Sequence, residues 1–66
     1  MDYKTFQRKI RELSKQSATD ATTRKMRNGR MYGNFADGTT IIGFEGSYRV
    51  TVRWGATGTH QAVAYL

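Results

Sequence analysis

The first hydrophobic pattern along the chain has helical spacing. Four apolar side chains recur at steps of three, four and three residues: Tyr3, Phe6, Ile10 and Leu13. At about 100° per residue they fall in one stripe roughly 80° wide. The spacing predicts an amphipathic helix over residues 3–15. Asp2 precedes it and can accept a hydrogen bond from a free backbone N–H of the first turn.

From Thr22 onward the pattern changes to alternation, and turn signals recur at regular spacing. Asn28-Gly29, Asp37-Gly38, Gly46-Ser47 and the stretch 55–58 begin nine residues apart. No proline interrupts the runs between them, so an antiparallel meander is predicted. Its strands are expected at about 22–27, 30–36, 39–44, 48–54 and 59–66.

Asn28-Gly29 allows two interpretations. It can end a short helix over 21–28, or it can form the turn of a hairpin. The helix would have only Ala21 and Met26 as apolar residues and would bury almost nothing. We therefore favour a two-residue type I′ turn, which pairs Met26 with Met31 on one face. It also lays Lys25 over Tyr32 on the other.

The predicted register carries through the remaining turns. A two-residue turn at Asp37-Gly38, a three-residue loop at 45–47 and a four-residue loop at 55–58 gather the apolar residues on one face. That predicted core face consists of Met26, Met31, Phe35, Ile42, Phe44, Tyr48, Val50, Val52, Trp54, Val63 and Tyr65. The helix stripe can cover it. The chain is thus predicted to be a single α+β domain over residues 1–66, with one N-terminal helix on a meander of four to five strands. Coiling of the sheet towards a small barrel is an alternative.

The opposite predicted face is basic. Its candidate binding residues, for nucleic acid or for an acidic partner, are Lys25, Arg27, Arg30, Tyr32, Asn34, Arg49, Thr51 and Arg53. Ile41 and His60 share that face. Cations neutralise phosphates, amide and hydroxyl groups hydrogen-bond to them, and tyrosine stacks on unpaired bases. In the alternative that the two faces are inverted, Trp54 and Tyr48 would be the stacking residues.

Charge supports the same class of partner. The formal net charge is +6, from 11 Lys and Arg against 5 Asp and Glu, which favours attraction to polyanions. The predicted helix adds a second basic stripe, formed by Lys4, Arg8, Arg11 and Lys15. The simpler interpretation of that stripe is a solvated helix face.

Residue types argue against several other functions. There is no cysteine and only one histidine, so neither a disulfide framework nor a metal site is expected. No nucleophile has a spacing to His60 that indicates catalysis, so we expect no catalytic residues, no cofactor and no enzyme activity. No apolar run reaches the length of a membrane span, and the N-terminus lacks a secretory h-region. A cytoplasmic location is expected.

The last predicted strand is a second kind of candidate site. It carries no formal side-chain charge, so its edge lacks the usual protection against pairing. The candidate interface residues are Gln61, Ala62, Val63, Ala64 and Tyr65. This strand can close onto the first strand, pair with a second copy, or accept a strand from another protein.

These observations leave three hypotheses. The leading one is a small non-enzymatic protein that binds DNA or RNA through a basic sheet face, with little sequence specificity. The alternative is a basic modulator or inhibitor that docks on an acidic surface of a larger enzyme or complex. Small, basic, cysteine-free chains are frequent among bacteriophage accessory proteins, an association that fits both. A further alternative is an oligomeric structural subunit.

Overall fold

The computed structural model describes all 66 residues as one helix packed on one sheet. The elements are α1 (Tyr3–Ser17), β1 (Ala21–Lys25), β2 (Arg30–Phe35), β3 (Thr40–Phe44), β4 (Arg49–Trp54) and β5 (His60–Tyr65). Every strand pairs antiparallel with its neighbours in the chain, so the sheet order is β1-β2-β3-β4-β5. The predicted α+β class is confirmed. The sheet is not closed into a barrel, because β1 and β5 both lie at its edges.

The helix begins and ends at identifiable caps. Asp2 accepts a hydrogen bond from the Thr5 backbone N–H at 2.8 Å, as the sequence predicts for an N-cap. Ala18 adopts the left-handed conformation with φ of 52°, and the Thr19 N–H donates to the Ser14 carbonyl at 3.1 Å. This end of the helix therefore has the geometry in which glycine is the usual residue.

The core lies between the helix and the sheet. Phe6 and Ile10 of α1 pack against Met31, Ile41 and Val50, and Met1 completes the buried cluster. Two buried glycines, Gly33 and Gly43, allow the helix side chains to lie close to the sheet. A Cβ at Gly33 would lie 2.7 Å from the Ile10 Cδ1 atom. A Cβ at Gly43 would lie 3.2 Å from the Val50 Cγ1 atom and 3.4 Å from the Phe6 ring.

The β1–β2 connection is a hairpin, as predicted, but its turn is one residue longer than the predicted type I′ turn. The Met26 N–H donates to the Arg30 carbonyl at 2.7 Å, which leaves the three residues 27–29 in the loop. Only Gly29 has a positive φ, of 90°. The Asn28 side chain instead accepts from the Arg30 N–H at 3.0 Å. These features define a type I turn followed by a glycine bulge.

The β2–β3 connection has the same three-residue loop geometry. The Phe35 N–H donates to the Thr39 carbonyl at 2.8 Å around the loop 36–38. Asp37 accepts from the Thr39 N–H at 2.9 Å, and Gly38 has a φ of 94°. The predicted two-residue turn is wrong here too, and for the same reason: the Asx side chain stabilises the longer loop.

The remaining loops are also one residue longer than predicted, with four residues at 45–48 and five at 55–59. Each one-residue slip reverses a strand relative to its neighbour. Because all four loops are one residue longer, successive reversals cancel at every second strand. β2 and β4 therefore keep their predicted faces, while β1, β3 and β5 present the opposite ones.

The predicted core face is therefore partly wrong. The residues that lie away from the helix instead are Met26, Ile42, Phe44, Val63 and Tyr65. Ile41, predicted on the basic face, is buried under the helix. Tyr48 lies in the loop before β4 and is exposed. Trp54 keeps its predicted side but is 41% exposed, beyond the well-covered part of the core.

Candidate nucleic-acid interface

The sheet surface away from the helix, which we call the open face, is an array of three cross-strand rows. No other element of the chain covers it. The first row is Met26, Arg30, Phe44, Arg49 and Tyr65. The second row is Arg24, Tyr32, Ile42, Thr51 and Val63. The third row is Thr22, Asn34, Thr40, Arg53 and Gln61.

The charge of the open face has one sign. Its four cations are Arg24, Arg30, Arg49 and Arg53, and none of its positions holds a carboxylate. The only ion pair of the protein joins Lys25 and Glu45 at 3.3 Å, and neither residue belongs to the open face. All four guanidinium groups therefore lack an anionic partner within the protein.

The arginines contact aromatic rings instead. The Arg24 Cζ atom lies 4.5 Å from the Tyr32 ring centroid, and the Arg30 Cζ atom lies 5.3 Å from that of Phe44. Arg30 also donates to the Tyr32 hydroxyl at 3.2 Å. The prediction that Lys25 lies over Tyr32 is wrong, because the slipped register puts Arg24 opposite that ring.

A shallow depression of about 450 Å³ lies on the open face along β2, β3 and β4. Three of its lining residues are cationic, namely Arg30, Arg49 and Arg53. Four are apolar or aromatic, namely Tyr32, Ile42, Phe44 and Val50. Guanidinium groups match phosphate oxygens through paired N–H donors, and ring faces accept stacked bases. The depression thus places both kinds of contact within one short span.

The structure brings together six of the eight predicted sheet-site residues, namely Arg30, Tyr32, Asn34, Arg49, Thr51 and Arg53. The other two lie elsewhere. Lys25 has turned to the helix side and pairs with Glu45, and Arg27 lies in the β1–β2 loop. The slip moves them because β1 is reversed relative to β2.

Sequence reasoning missed Arg24, Phe44 and Tyr65 as members of this face. The signal that identifies them is the Asx-Gly pair. In a three-residue bulge loop only the glycine needs a positive φ, and the Asx side chain accepts from the next N–H. Applied at Asn28 and Asp37, that geometry gives the observed faces of β1 and β3.

The helix stripe lies on the other side of the molecule. Lys4, Arg8, Arg11 and Lys15 are all exposed on the outer surface of α1. Glu12 makes no ion pair with Arg8, so this stripe also remains uncompensated. The chain therefore has two basic surfaces, separated by the core.

The uncharged β5 forms one edge of the sheet, as the candidate interface requires. Val63 and Tyr65 project onto the open face, whereas Ala62 and Ala64 lie on the helix side. His60 stacks on Trp54 with ring centroids 5.7 Å apart. The predicted place of His60 on the basic face is wrong, because the slip turns it to the Trp54 side.

No group of three or more His, Cys, Asp or Glu side chains converges to hold a metal ion. The single helix is neither long nor apolar enough to cross a membrane. Comparisons with protein-family models, with curated proteins and with solved structures found no match in any of the three.

Proposed function

We propose that the protein binds nucleic acid through the open face, without catalysing a reaction and with little sequence preference. The observation that supports this is the set of four arginines with no carboxylate partner on a sheet surface that nothing covers. A surface that only needs to be solvated has no requirement for cations of one sign.

The three cross-strand rows of the open face contain the groups that would contact the nucleic acid. Arginines that neutralise phosphates release condensed counterions, which makes binding favourable and strongly salt-dependent. The third row adds neutral donors beside Arg53, including Asn34 and Thr40, whose side chains lie 3.4 Å apart. Such groups hydrogen-bond to phosphate oxygens without reading a sequence. No helix or ribbon projects from the open face to reach base edges, so the proposal includes low specificity.

The test compares two charge-reversal pairs. Arg49→Glu with Arg53→Glu alters the open face, and Lys4→Glu with Arg8→Glu alters the helix stripe by the same net charge. Binding of labelled DNA and RNA oligonucleotides is measured by fluorescence anisotropy over a salt series starting at about 50 mM. The open-face pair should reduce affinity at least about tenfold and lower the slope of log K on log salt by about two.

The helix-stripe pair separates location from overall charge. It should retain most of the affinity of the unmodified protein. If the helix pair abolishes binding and the open-face pair does not, the interface is on the helix and the proposal is wrong. Absence of any binding at about 50 mM salt would also contradict it, and would leave an acidic protein surface as the partner of the open face.

The free edge of β5 favours a second candidate function, self-association. The Leu66 N–H donates to the Tyr48 carbonyl at 2.9 Å, so the alternate residues of β5 point their backbone groups towards β4. Gln61, Val63 and Tyr65 therefore direct theirs outward, unpaired. We propose a second copy as the occupant, because an edge without charge is where two chains of net charge +6 can approach most easily.

Light scattering tests this second candidate. A dimer predicts a mass of twice 7.5 kDa. Val63→Pro removes an outward donor without breaking a bond to β4, and edge strands tolerate proline. The variant should restore the monomer mass. A monomer at all concentrations of the unmodified protein excludes self-association through β5.

A further inference from the structure

We infer that the open face selects single-stranded over double-stranded nucleic acid by stacking unpaired bases on Tyr32 and Phe44. This inference rests on the proposed function and adds the class of substrate. It depends on three observations: the width of the face, the exposure of its aromatic rings, and the contacts that its arginines make with those rings.

The width of the open face is unsuited to a duplex groove. Five strands spaced about 4.8 Å apart span about 19 Å, whereas the major groove of B-DNA is about 12 Å wide. A duplex can therefore rest on this face only through phosphates that come near the arginines. The rings between those arginines would then meet no base. A single strand can lie in the depression and use both kinds of contact.

The rings are accessible from the open side. Phe44 is 43% exposed, and Tyr65, in the same row, is 75% exposed. Tyr32 and Phe44 are diagonal neighbours on adjacent strands, about 7–8 Å apart by sheet geometry, and both line the depression. Phe44 is exposed and Tyr32 is partly buried. Two aromatic side chains at this spacing offer successive platforms for bases, since every base has a π-face.

Two arginines of the open face lie over its aromatic rings. Arg24 lies over Tyr32 and Arg30 lies over Phe44, and neither guanidinium is held by a carboxylate. A base that stacks on either ring displaces the guanidinium, which is then free to pair with the adjacent phosphate. Stacking on a base is the stronger contact, because an exposed cation–π pair is weak. The exchange therefore favours a ligand that brings an unpaired base and a phosphate together.

The experiment measures single-strand preference directly. Anisotropy is recorded at about 50 mM salt with oligothymidylate and oligouridylate of about 16 nucleotides, the upper end of the site sizes of small single-strand-binding domains. The competitor is a hairpin duplex with the same number of phosphates. At least one of the two single strands should bind more tightly than the duplex, by about tenfold or more. The two single-strand arms distinguish DNA from RNA as the source of the substrate.

The matched variants remove rings and leave charge unchanged. Tyr32→Leu with Phe44→Leu should lose at least about tenfold in single-strand affinity and leave duplex affinity within about twofold. Trp54→Leu removes an aromatic ring that is 41% exposed on the helix side, and it should change neither affinity. Phe44→Leu alone is the second variant, in case the double variant is poorly folded.

The outcomes distinguish a failure of single-strand selectivity from a failure of nucleic-acid binding itself. Equal affinity for duplex and single strands, or single-strand affinity unchanged in both leucine variants, overturns the inference and leaves the proposed function standing. No binding of any of the three probes overturns both. A loss in Trp54→Leu equal to that in Phe44→Leu also overturns it, because stacking would then not belong to the open face.

Discussion

The helix packs on one face of the sheet, the covered face, and leaves the open face accessible. Each strand presents different kinds of side chain to the two faces. On the covered face β2 presents Met31, Gly33 and Phe35 to the helix. On the open face the same strand presents Arg30, Tyr32 and Asn34 to solvent. A glycine on one side allows the helix to approach, and cations on the other have no partner in the protein.

This difference separates residues that stabilise the fold by being buried from residues that remain exposed and contribute little to stability. The fully buried side chains Phe6, Ile10, Met31 and Val50 all belong to the helix or the covered face. Large apolar residues on the open face remain accessible, as Phe44 and Val63 do. If the comparison is correct, substitutions on the two faces should have opposite consequences for stability and for binding.

The largest expected effect comes from matched phenylalanines on the two faces. Phe6→Ala empties the centre of the core and should reduce the free energy of unfolding by about 3–5 kcal/mol. A chain of this length has a total of only about 3–10 kcal/mol, so the variant should lose a large share of its stability. Urea denaturation followed by circular dichroism measures this.

The control is Phe44→Ala, which removes the same side chain from the open face. Phe44 is 43% exposed, so the expected loss is about 1 kcal/mol. Equal losses in the two variants would break the comparison, because the open face would then be as important to folding as the covered one.

A smaller effect is expected where the helix meets the sheet backbone. Gly33→Ala puts a Cβ 2.7 Å from the Ile10 Cδ1 atom, and relief of this overlap should cost about 1–3 kcal/mol. Ile10→Val deletes that Cδ1 atom. In the Ile10→Val background the same alanine should cost clearly less, measured as a double-mutant cycle. Additive losses would mean that the cost arises elsewhere than in this contact.

The sequence predicts the elements of this fold better than their register. Helical spacing with an N-cap at Asp2 gives α1, and alternation in β2 and β4 gives their correct faces. In β3, Ile41 and Ile42 are both apolar, so alternation does not decide which one is buried. In β5 the larger side chains Val63 and Tyr65 point away from the helix, the reverse of what size suggests.

The membership of the candidate site depends on the face that each strand presents. For β2 and β4 the sequence predicts the face that the structure shows, including the positions of Arg30, Arg49 and Arg53. Those on β1 depended on the Asn28-Gly29 turn, which fits both a two-residue and a three-residue loop. In the structure the Asn28 side chain accepts from the Arg30 N–H, which stabilises the three-residue loop. An asparagine at this position permits that contact but does not require it.

Acid should destabilise the fold through two carboxylates that accept backbone hydrogen bonds, Asp2 at the helix N-cap and Asp37 in the β2–β3 loop. The Thr5 N–H that donates to Asp2 lowers the pKa of that carboxyl below its ordinary value of 3.8, and the Thr39 N–H lowers the pKa of Asp37 in the same way. A lowered pKa in the folded state means that the stability is present above the unfolded pKa. It is lost as the pH falls through the folded pKa.

Asp2→Asn with Asp37→Asn tests this, since asparagine keeps an acceptor at both positions. The urea midpoint should fall less between about pH 7 and pH 3 in this variant than in the unmodified protein. The control, Glu12→Gln with Asp20→Asn, removes the same charge from side chains without hydrogen bonds or ion pairs. If the control has the same effect, general charge repulsion explains the acid response, and the hydrogen bonds to Asp2 and Asp37 do not.

The smallest expected effect on stability is on the open face itself. Arg49→Gln with Arg53→Gln should change the free energy of unfolding by no more than about 0.5 kcal/mol, as for other exposed substitutions. Val50 lies between them on the same strand but is buried, and Val50→Ala should cost about 2 kcal/mol. Urea titration of the two variants compares the faces within one strand. A loss above about 1 kcal/mol in the glutamine pair would mean that these arginines stabilise the fold, which would remove the argument that they are free to bind a ligand.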